Sequence, residues 1–198
     1  MTTAINIAIL PPKDISEKAR ELNKAVNGAY PHPKIVLDET HFPHITLVQA
    51  YVDTAKLEEI ASVIELVIAG IPALSLTASS ILVDEHGYAN MVIEKTTELL
   101  NIRQTLVEKL ESYHGKGDST AFFGHEQEDI AQFVIDYVQG FFKNYRSAGT
   151  YFAHITLGLA HNQPPAFNPM TFTANRIALC HEGNEGTCRK ILHEWKLK

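Results

Sequence analysis

The same hexapeptide occurs twice in this chain, with one substitution between the two copies. Residues 42–47 read Phe-Pro-His-Ile-Thr-Leu, and residues 152–157 read Phe-Ala-His-Ile-Thr-Leu. Both copies lie among apolar and β-branched residues and are bounded by turn-forming residues, which predicts a β-strand for each. Because side chains alternate between the two faces of a strand, we expect the Phe, His and Thr of each copy on one face. The Ile and Leu then lie on the core face.

The repeated His-x-Thr pattern is suited to proton transfer at a phosphate. An imidazole has an unperturbed pKa of about 6.5, and a hydroxyl two residues later can donate a hydrogen bond to an anionic oxygen. Two such pairs facing one phosphate supply a general base, a general acid and two phosphate-binding hydroxyls. A single copy would more often be structural. The second copy in matching context favours catalytic roles for His44 and His154, with Thr46 and Thr156 as phosphate ligands.

Two aromatic residues share the histidine face of the predicted strands. Phe42 and Phe152 could stack on a nucleobase, as aromatic rings do in nucleic-acid-binding proteins, although packing at the floor of a cleft is the commoner role of such side chains. Four polar residues near the motifs are weaker candidates for phosphate or base contacts, and we expect each of them on the surface: Tyr30, Lys143, Arg146 and Tyr151.

The composition is that of one ordinary globular domain, which could have two lobes. The 198 residues are 45% apolar and 20% charged, and the length suffices for a sizeable core. The net charge of −6 argues against an extended non-specific nucleic-acid surface, but it is compatible with a small or terminal phosphate ligand. No basic segment precedes the short apolar run at the N-terminus, and no run of 18 apolar residues occurs. We expect a cytoplasmic monomer that does not bind membranes.

No pattern predicts a cofactor or a metal. The chain has no CxxC, HExxH or Walker-type glycine loop. A metal site is the alternative use of four histidines: His41, His44, His154 and His161. The first two are three residues apart on an extended strand and point to opposite faces, and thiolate or carboxylate partners are not evident. Cys180 and Cys188 flank a predicted hairpin loop and could form a disulfide, but reduced thiols are the safer expectation in a cytosolic chain.

Hydrophobic periodicity and turn residues predict an α+β chain. The order is a strand, a helix, the first motif strand, a helix, two strands, two helices, the second motif strand and two strands. A single strand is expected near 172–181. The fourth helix, over about 127–146, is expected to be the longest, with acidic residues at its start. Its apolar stripe is expected to face the core: Ile130, Phe133, Val134, Tyr137, Val138 and Phe141. This order favours two similar lobes, with antiparallel sheets flanked by helices and a cleft between them.

With both motifs placed, the chain resembles the two-histidine phosphoesterase superfamily, which includes bacterial 2′-5′ RNA ligase-like proteins and 2′,3′-cyclic phosphodiesterases. The resemblance covers most of the chain, from residues 6–11 through both motifs to residues 192–197. It implies motifs that face each other across a cleft, with His44 and His154 as catalytic residues. It also implies phosphate binding by Thr46 and Thr156, and no metal.

The two motif histidines are 154 − 44 = 110 residues apart, which is a longer spacing than in compact members of that superfamily. We expect a single bilobal domain over residues 1–198, with a helical insertion at about 114–146. An insertion there could cover the cleft and alter the size of the substrate.

The motifs predict metal-independent hydrolysis of a cyclic phosphodiester, such as a nucleoside or RNA 2′,3′-cyclic phosphate. The resemblance implies a 2′-phosphate product. One histidine would deprotonate the attacking water and the other would protonate the departing ribose oxygen, and the sequence does not assign the two roles. Two alternatives stay open. A 2′,5′-phosphodiesterase or ligase-like reaction would keep the site and change the substrate, and a module that binds RNA ends or nucleotide phosphates without turnover would keep only the phosphate capture.

Overall fold

The computed structural model describes residues 1–28, 33–160 and 164–198, so Tyr30 and His161 lie outside the described residues. Eight β-strands and four α-helices lie within these ranges. The strands are β1 Thr2–Leu10, β2 Ile45–Asp53, β3 Leu74–Val83, β4 Tyr88–Ile93, β5 His154–Leu159, β6 Met170–Ala174, β7 Arg176–Glu182 and β8 Cys188–Lys196. The helices are α1 Lys13–Asn27, α2 Leu57–Ile68, α3 Thr97–Leu110 and α4 Gln132–Asn144.

The strands form two four-stranded antiparallel sheets, and each sheet has one motif strand at its edge. The first sheet has the order β2-β1-β7-β8, and the second has the order β5-β4-β3-β6. The first and last strands of the chain therefore share a sheet, while the central strands form the other. The motif strands β2 and β5 contact each other across the boundary between the sheets. The predicted two-lobed α+β fold is confirmed.

Helical periodicity explains how the helices pack on these sheets. The buried stripe of α1 follows the helical repeat: Ile15, Ala19, Leu22 and Val26. α1 lies against β5, and α3 contacts both α2 and β2. The start of α3 is fixed by the Thr96 hydroxyl, which accepts a hydrogen bond from the Leu99 N–H. Each motif strand thus has a helix packed against it. None of the helices in the described ranges is long and apolar enough to span a bilayer.

One apolar core joins the two sheets. It includes Ile7, Leu76 and Met91, each at most 1% exposed, together with Ile45 and Ile155 from the two hexapeptides. The core face predicted for each motif strand is therefore confirmed. Because burial of apolar surface is the main favourable term in folding, the backbone of both motifs is anchored in the most stable part of the molecule.

The segment between α3 and β5 packs on the first sheet through a separate apolar cluster. Phe122, Val134 and Val138 meet Ala4 of β1 and Tyr51 of β2 there. This cluster holds α4 against β2. The designation of residues 114–146 as an insertion stays a prediction.

The fourth helix is shorter than the sequence pattern predicts. It covers Gln132–Asn144 rather than 127–146, and α1 is longer. Gly124, at φ +83°, turns the chain before the helix, a backbone conformation that glycine adopts without strain. Glu128 pairs with Arg189 of β8 at 2.9 Å and does not lie in the first helical turn. The acidic stretch is therefore tied to the β7–β8 hairpin instead of capping α4.

The strand predicted near 172–181 is two strands. β6 pairs with β3 in the second sheet, whereas β7 pairs with β1 in the first. Asn175 lies between them, so the chain crosses from one lobe to the other at this residue. The apolar pattern does not reveal the crossing because both segments read as strand.

Candidate active site

The two motifs line one cavity of about 660 Å³ between the lobes. His44 and Thr46 enter it from the first lobe, and His154 and Thr156 enter it from the second. The contact between the edge strands β2 and β5 places the motifs side by side. The structure thus brings together all four residues that the sequence predicts as catalytic or phosphate-binding.

Both histidines are oriented by the same kind of main-chain hydrogen bond. Nδ1 of His44 lies 2.8 Å from the carbonyl oxygen of Phe42, and Nδ1 of His154 lies 2.8 Å from that of Phe152. A carbonyl oxygen can only accept, so Nδ1 carries the hydrogen in each ring. In the neutral form Nε2 is then the unprotonated nitrogen. Each motif therefore presents the ring nitrogen that can take a proton from a ligand.

The two imidazoles differ in their electrostatic surroundings. Burial lowers the pKa of His44 to about 4, and the nearby His154 adds to this effect while the Phe42 carbonyl opposes it. Burial also lowers the pKa of His154, but the Phe152 carbonyl and the negative charge of Asp84 act to raise it. Both rings are therefore neutral at pH 7 in the free protein. Of the two rings, His154 is the one with a nearby negative charge that favours its protonated form.

A buried amide holds the first motif pair. Nδ2 of Asn6, on β1, donates to Oγ1 of Thr46 at 3.0 Å and lies 3.5 Å from Nε2 of His44. Asn6 is fully buried, and its Oδ1 has no partner within the described residues. Because Thr46 accepts this bond, its own hydroxyl hydrogen is available to a ligand. The motifs do not predict Asn6, whose signal in the sequence is a polar residue inside an apolar strand.

The second lobe contains a related arrangement. Asn90, on β4, is the register partner of Thr156 and is 2% exposed. Its Nδ2 donates to the main-chain oxygen of Tyr88 at 3.0 Å and to Asp84 at 3.3 Å. The Asp84 carboxylate is the negative charge that acts on His154. Each motif strand is thus paired with a strand that carries a buried asparagine.

A buried carboxyl group also lines the cavity. Glu182, on β7, is fully buried. Its Oε1 accepts from Nε2 of Gln49 at 2.7 Å, and its Oε2 has no partner in the described part of the chain. Burial raises the pKa of Glu182 well above its usual range, and Cys180 adds to this, so the folded protein favours the uncharged acid. Cys180 and Cys188, on β7 and β8, are both buried free thiols.

Two buried residues connect the lobes beside the motifs. The hydroxyl of Tyr151 donates to the main-chain oxygen of Thr46 at 2.9 Å. The guanidinium carbon of Arg103, on α3, lies 4.4 Å from the centre of the Tyr151 ring, and the group donates to the main-chain oxygens of Tyr145 and Arg146. Tyr151 is 8% exposed, so the expectation that it lies on the surface is wrong.

The two motif phenylalanines lie in different places. The ring of Phe152 stacks on His154 with centroids 4.7 Å apart, and Phe152 lines the cavity with 40% of its surface exposed. Phe42 instead packs against a cluster that includes Leu10 and Cys188, and it is not among the described residues that line the cavity. β2 begins only at Ile45, and the Phe42 N–H bonds to Cys188 of β8 at 3.0 Å. The predicted shared face is therefore wrong for Phe42.

The alternative metal set does not assemble. His41 is paired with Asp38 at 3.0 Å. Within residues 1–28, 33–160 and 164–198, no group of three or more His, Cys, Asp or Glu side chains is arranged to hold a metal ion.

Several solved structures are similar to this chain over its whole length. E. coli LigT complexed with NADP+ aligns over 100% of this chain and 99% of that chain, with 15% identity and a TM-score of 0.55. TT0787 of Thermus thermophilus aligns over 98% of both chains, with 12% identity and a TM-score of 0.64. The fold is that of the two-histidine phosphoesterases. A structure described as a phosphoesterase is similar in fold to this chain, with 99% of both chains aligned, 13% identity and a TM-score of 0.60. No protein-family model and no curated protein matches the sequence.

Proposed function

We propose that this chain hydrolyses a cyclic phosphodiester, a nucleoside or RNA 2′,3′-cyclic phosphate, with His44 and His154 as the general base and acid. The observation that carries the proposal is the matched orientation of the two imidazoles. Each is fixed through Nδ1 to a carbonyl two residues earlier, and both line the same cavity. The complexes of E. coli LigT with 3′-AMP, ATP and phosphate support a nucleotide phosphate as the ligand of this fold.

In the proposed reaction, one histidine takes a proton from water as its oxygen attacks phosphorus. The other gives a proton to the ribose oxygen as the phosphorus–oxygen bond of the ring breaks. The net change is the addition of one water, which yields a phosphomonoester and a free hydroxyl. Superfamily resemblance implies the 2′-phosphate as product, and no redox step or metal takes part.

The surroundings of the two imidazoles favour His154 as the acid and His44 as the base. A general acid must hold a proton before the leaving group departs, and the negative charge of Asp84 favours protonated His154. Burial opposes a proton on His44, and a second charge on the neighbouring ring opposes it further. The bound phosphate adds a negative charge that raises the pKa of both rings, so the singly protonated pair becomes accessible near neutrality.

Thr46 and Thr156 would bind the non-bridging phosphate oxygens, where charge accumulates in the transition state. Both hydroxyls line the cavity. Because Nδ2 of Asn6 donates to Oγ1 of Thr46, the hydroxyl hydrogen of Thr46 is directed away from β1. Phe152, stacked on His154, is positioned to cover one side of the ligand.

The direct test is turnover of 2′,3′-cyclic nucleotides in the presence of EDTA, with products resolved as 2′- or 3′-phosphates. We expect conversion at an undiminished rate in EDTA, to the 2′-phosphate. A linear 2′,5′-linked dinucleotide and an RNA carrying a 2′,3′-cyclic phosphate end belong in the same panel. Cleavage of the linear dinucleotide alone would contradict the cyclic substrate and support the 2′,5′-phosphodiesterase reaction.

A phosphate-binding module without turnover is the second candidate function. The lowered pKa of both histidines favours it, because the neutral form of each imidazole, which cannot act as the general acid, is favoured in the free protein at pH 7. Calorimetric binding of a 2′,3′-cyclic nucleotide that is recovered intact after prolonged incubation would support this module and contradict the hydrolase.

A further inference from the structure

The face that α4 turns to the cavity is aromatic and exposed. Phe133 is 49% exposed and Tyr137 is 37% exposed, and both line the cavity. The sequence pattern assigns both to a core-facing stripe, and the structure contradicts this for both while confirming it for Val134 and Val138. Together with Phe152, they are the aromatic members of the exposed large apolar side chains in the described ranges. Exposed aromatic surface gathered at one cavity marks a binding surface.

One carboxylate lies on the same helical face as these rings. Phe133, Asp136 and Tyr137 are at positions i, i+3 and i+4, which are neighbours on the surface of a helix, and Asp136 also lines the cavity. Its Oδ1 accepts from Gln132 at 2.9 Å, and Oδ2 has no hydrogen-bond partner in the described part of the chain. Asp136 thus has acceptor capacity left for a ligand.

The two rings are held in place by packing. The Tyr137 ring lies 4.6 Å from the ring of Tyr145, and the Phe133 ring lies 6.3 Å from that of Tyr88. The hydroxyl of Tyr88 donates to Glu185 at 2.6 Å, which fixes that ring in turn. A supported aromatic surface loses little side-chain entropy when a flat ligand stacks on it.

Among the described residues, four carboxylic side chains line the cavity: Asp84, Asp136, Glu182 and Glu185. The Arg103 guanidinium is the only Lys or Arg side chain among the described lining residues, and it is directed to main-chain oxygens. The Asp84 carboxylate already accepts bonds within its own turn, and Glu185 accepts from Tyr88 and lies 3.7 Å from Lys34. Glu182 also lines the cavity and has an unpartnered Oε2, but it is fully buried and burial disfavours its charged form. Asp136 is therefore the exposed lining carboxylate with the most free acceptor capacity for a ligand.

We propose that Phe133, Asp136 and Tyr137 form a nucleobase subsite that favours a base with an exocyclic amino group over uracil. The rings stack on the base, and the carboxylate accepts from the amino group that cytosine, adenine and guanine present and uracil lacks. The subsite rests on the proposed function for its anchor, because the phosphate site at the two motifs brings the base to α4.

The first test compares substrates with and without a base. The substrates are cytidine 2′,3′-cyclic phosphate, uridine 2′,3′-cyclic phosphate and methyl riboside 2′,3′-cyclic phosphate, which has no base. Phe133→Ala and Tyr137→Ala are each expected to raise KM for the cytidine substrate by about 5- to 150-fold, the range for loss of one stacking contact, with little change in kcat. Neither variant should change kcat/KM for the base-free substrate. Leu66→Ala is the control, since Leu66 is an exposed apolar residue of α2 outside the cavity lining.

The second test addresses the carboxylate. Wild type should prefer the cytidine to the uridine substrate by at least about 5-fold in kcat/KM, the low end for one specific base contact. Asp136→Asn keeps the size of the side chain and can donate to uracil, so it should reduce this preference to about twofold or less. An unchanged preference in Asp136→Asn, with an intact fold by circular dichroism, would overturn the role of Asp136.

Calorimetry separates failure of the subsite from failure of the hydrolase. Binding of 3′-CMP, 3′-UMP and ribose 3-phosphate to the wild type does not require turnover. Suppose that the wild type shows no turnover but binds 3′-CMP more tightly than 3′-UMP and ribose 3-phosphate, and that Phe133→Ala abolishes this difference. That result would retain the subsite and overturn the hydrolase. Turnover of all three cyclic substrates with equal kcat/KM would retain the hydrolase and overturn the subsite. Absence of both binding and turnover would overturn both.

Discussion

The hydroxyl of Tyr151 donates a 2.9 Å hydrogen bond to the main-chain oxygen of Thr46, and so joins the segment before the second motif to the strand of the first motif. The two residues belong to different lobes. Arg103 packs over the ring of Tyr151, with its guanidinium carbon 4.4 Å from the ring centre. Because the proposed reaction needs both imidazoles at one phosphate, the spacing between the lobes would be part of the catalytic geometry.

Replacement of Tyr151 tests this connection. Tyr151→Phe removes one buried hydrogen bond, and we expect the free energy of unfolding to fall by about 1 kcal/mol. The turnover number should fall as well, because the lobes lose a fixed contact. Urea unfolding and steady-state kinetics measure the two effects. Tyr113→Phe is the matched control, since that hydroxyl donates to Glu59 at the surface, and we expect a change within about 0.5 kcal/mol and full activity.

The pH dependence of kcat/KM follows from the two histidines. In the proposed mechanism, the form of the free protein that leads to reaction has His44 neutral and His154 protonated. His44 becomes protonated below about pH 4, and burial lowers the pKa of His154 below its usual 6.5. We expect a bell-shaped profile with its maximum between these limits and a decline above them of about tenfold per pH unit. A maximum above pH 7, measured at constant ionic strength, would contradict a catalytic pair of two histidines with lowered pKa values.

Loss of either motif hydroxyl should cost activity. Thr46→Val also leaves Nδ2 of the buried Asn6 without its acceptor, which should lower the free energy of unfolding by about 1 to 3 kcal/mol. Thr46→Val and Thr156→Val keep the shape of the side chain and remove a hydrogen bond to a charged group, which is worth about 1.5 to 3 kcal/mol. We expect kcat/KM to fall by about 10- to 150-fold in each. Thr171→Val, at an exposed position of β6, is the control and should retain full activity. Full activity in both site variants would contradict phosphate binding by the two threonine hydroxyls.

The buried Glu182 should make the protein less stable as pH rises. Its pKa is raised well above 4.5 in the folded protein. Between the pKa of the unfolded state and the higher pKa of the folded state, the folded state therefore binds more protons than the unfolded state. The free energy of unfolding contributed by this group therefore decreases with pH across that window. Glu182→Gln retains the contact with Gln49 and does not titrate. We expect the difference in unfolding free energy, variant minus wild type, to grow from pH 5 to pH 8, and a constant difference would contradict an uncharged Glu182.

The elements that position the site could be predicted because local patterns decide them. The hexapeptides at 42–47 and 152–157 have apolar residues at every second position, which fixes the face that each strand buries. The turns around β3 and β4, and the start of α3 at Thr96, also follow from local residue types. Both histidines and both threonines were located in this way.

The remaining features depend on contacts distant in sequence. Phe133 and Tyr137 fit an apolar helical stripe, but only the position of α4 beside the cavity decides that they are exposed. The late start of α4 depends on Glu128 pairing with Arg189 of β8. The chain crosses between lobes at Asn175 because β6 joins the second sheet and β7 joins the first, although the two strands form one apolar run in the sequence. Local patterns in a single sequence do not determine these long-range contacts.

The central claim is that His44 and His154 together perform the reaction, and the most direct measurement is single-variant turnover of a 2′,3′-cyclic nucleotide in EDTA. Three variants are compared with wild type: His44→Ala, His154→Ala and the control His193→Ala, whose imidazole pairs with Glu58 at 3.2 Å away from the cavity lining. The account predicts a loss of at least about 100-fold in kcat for each motif variant, the low end for removal of a general acid or base, and none for the control. Near-normal turnover in either motif variant, with an intact fold, would contradict it.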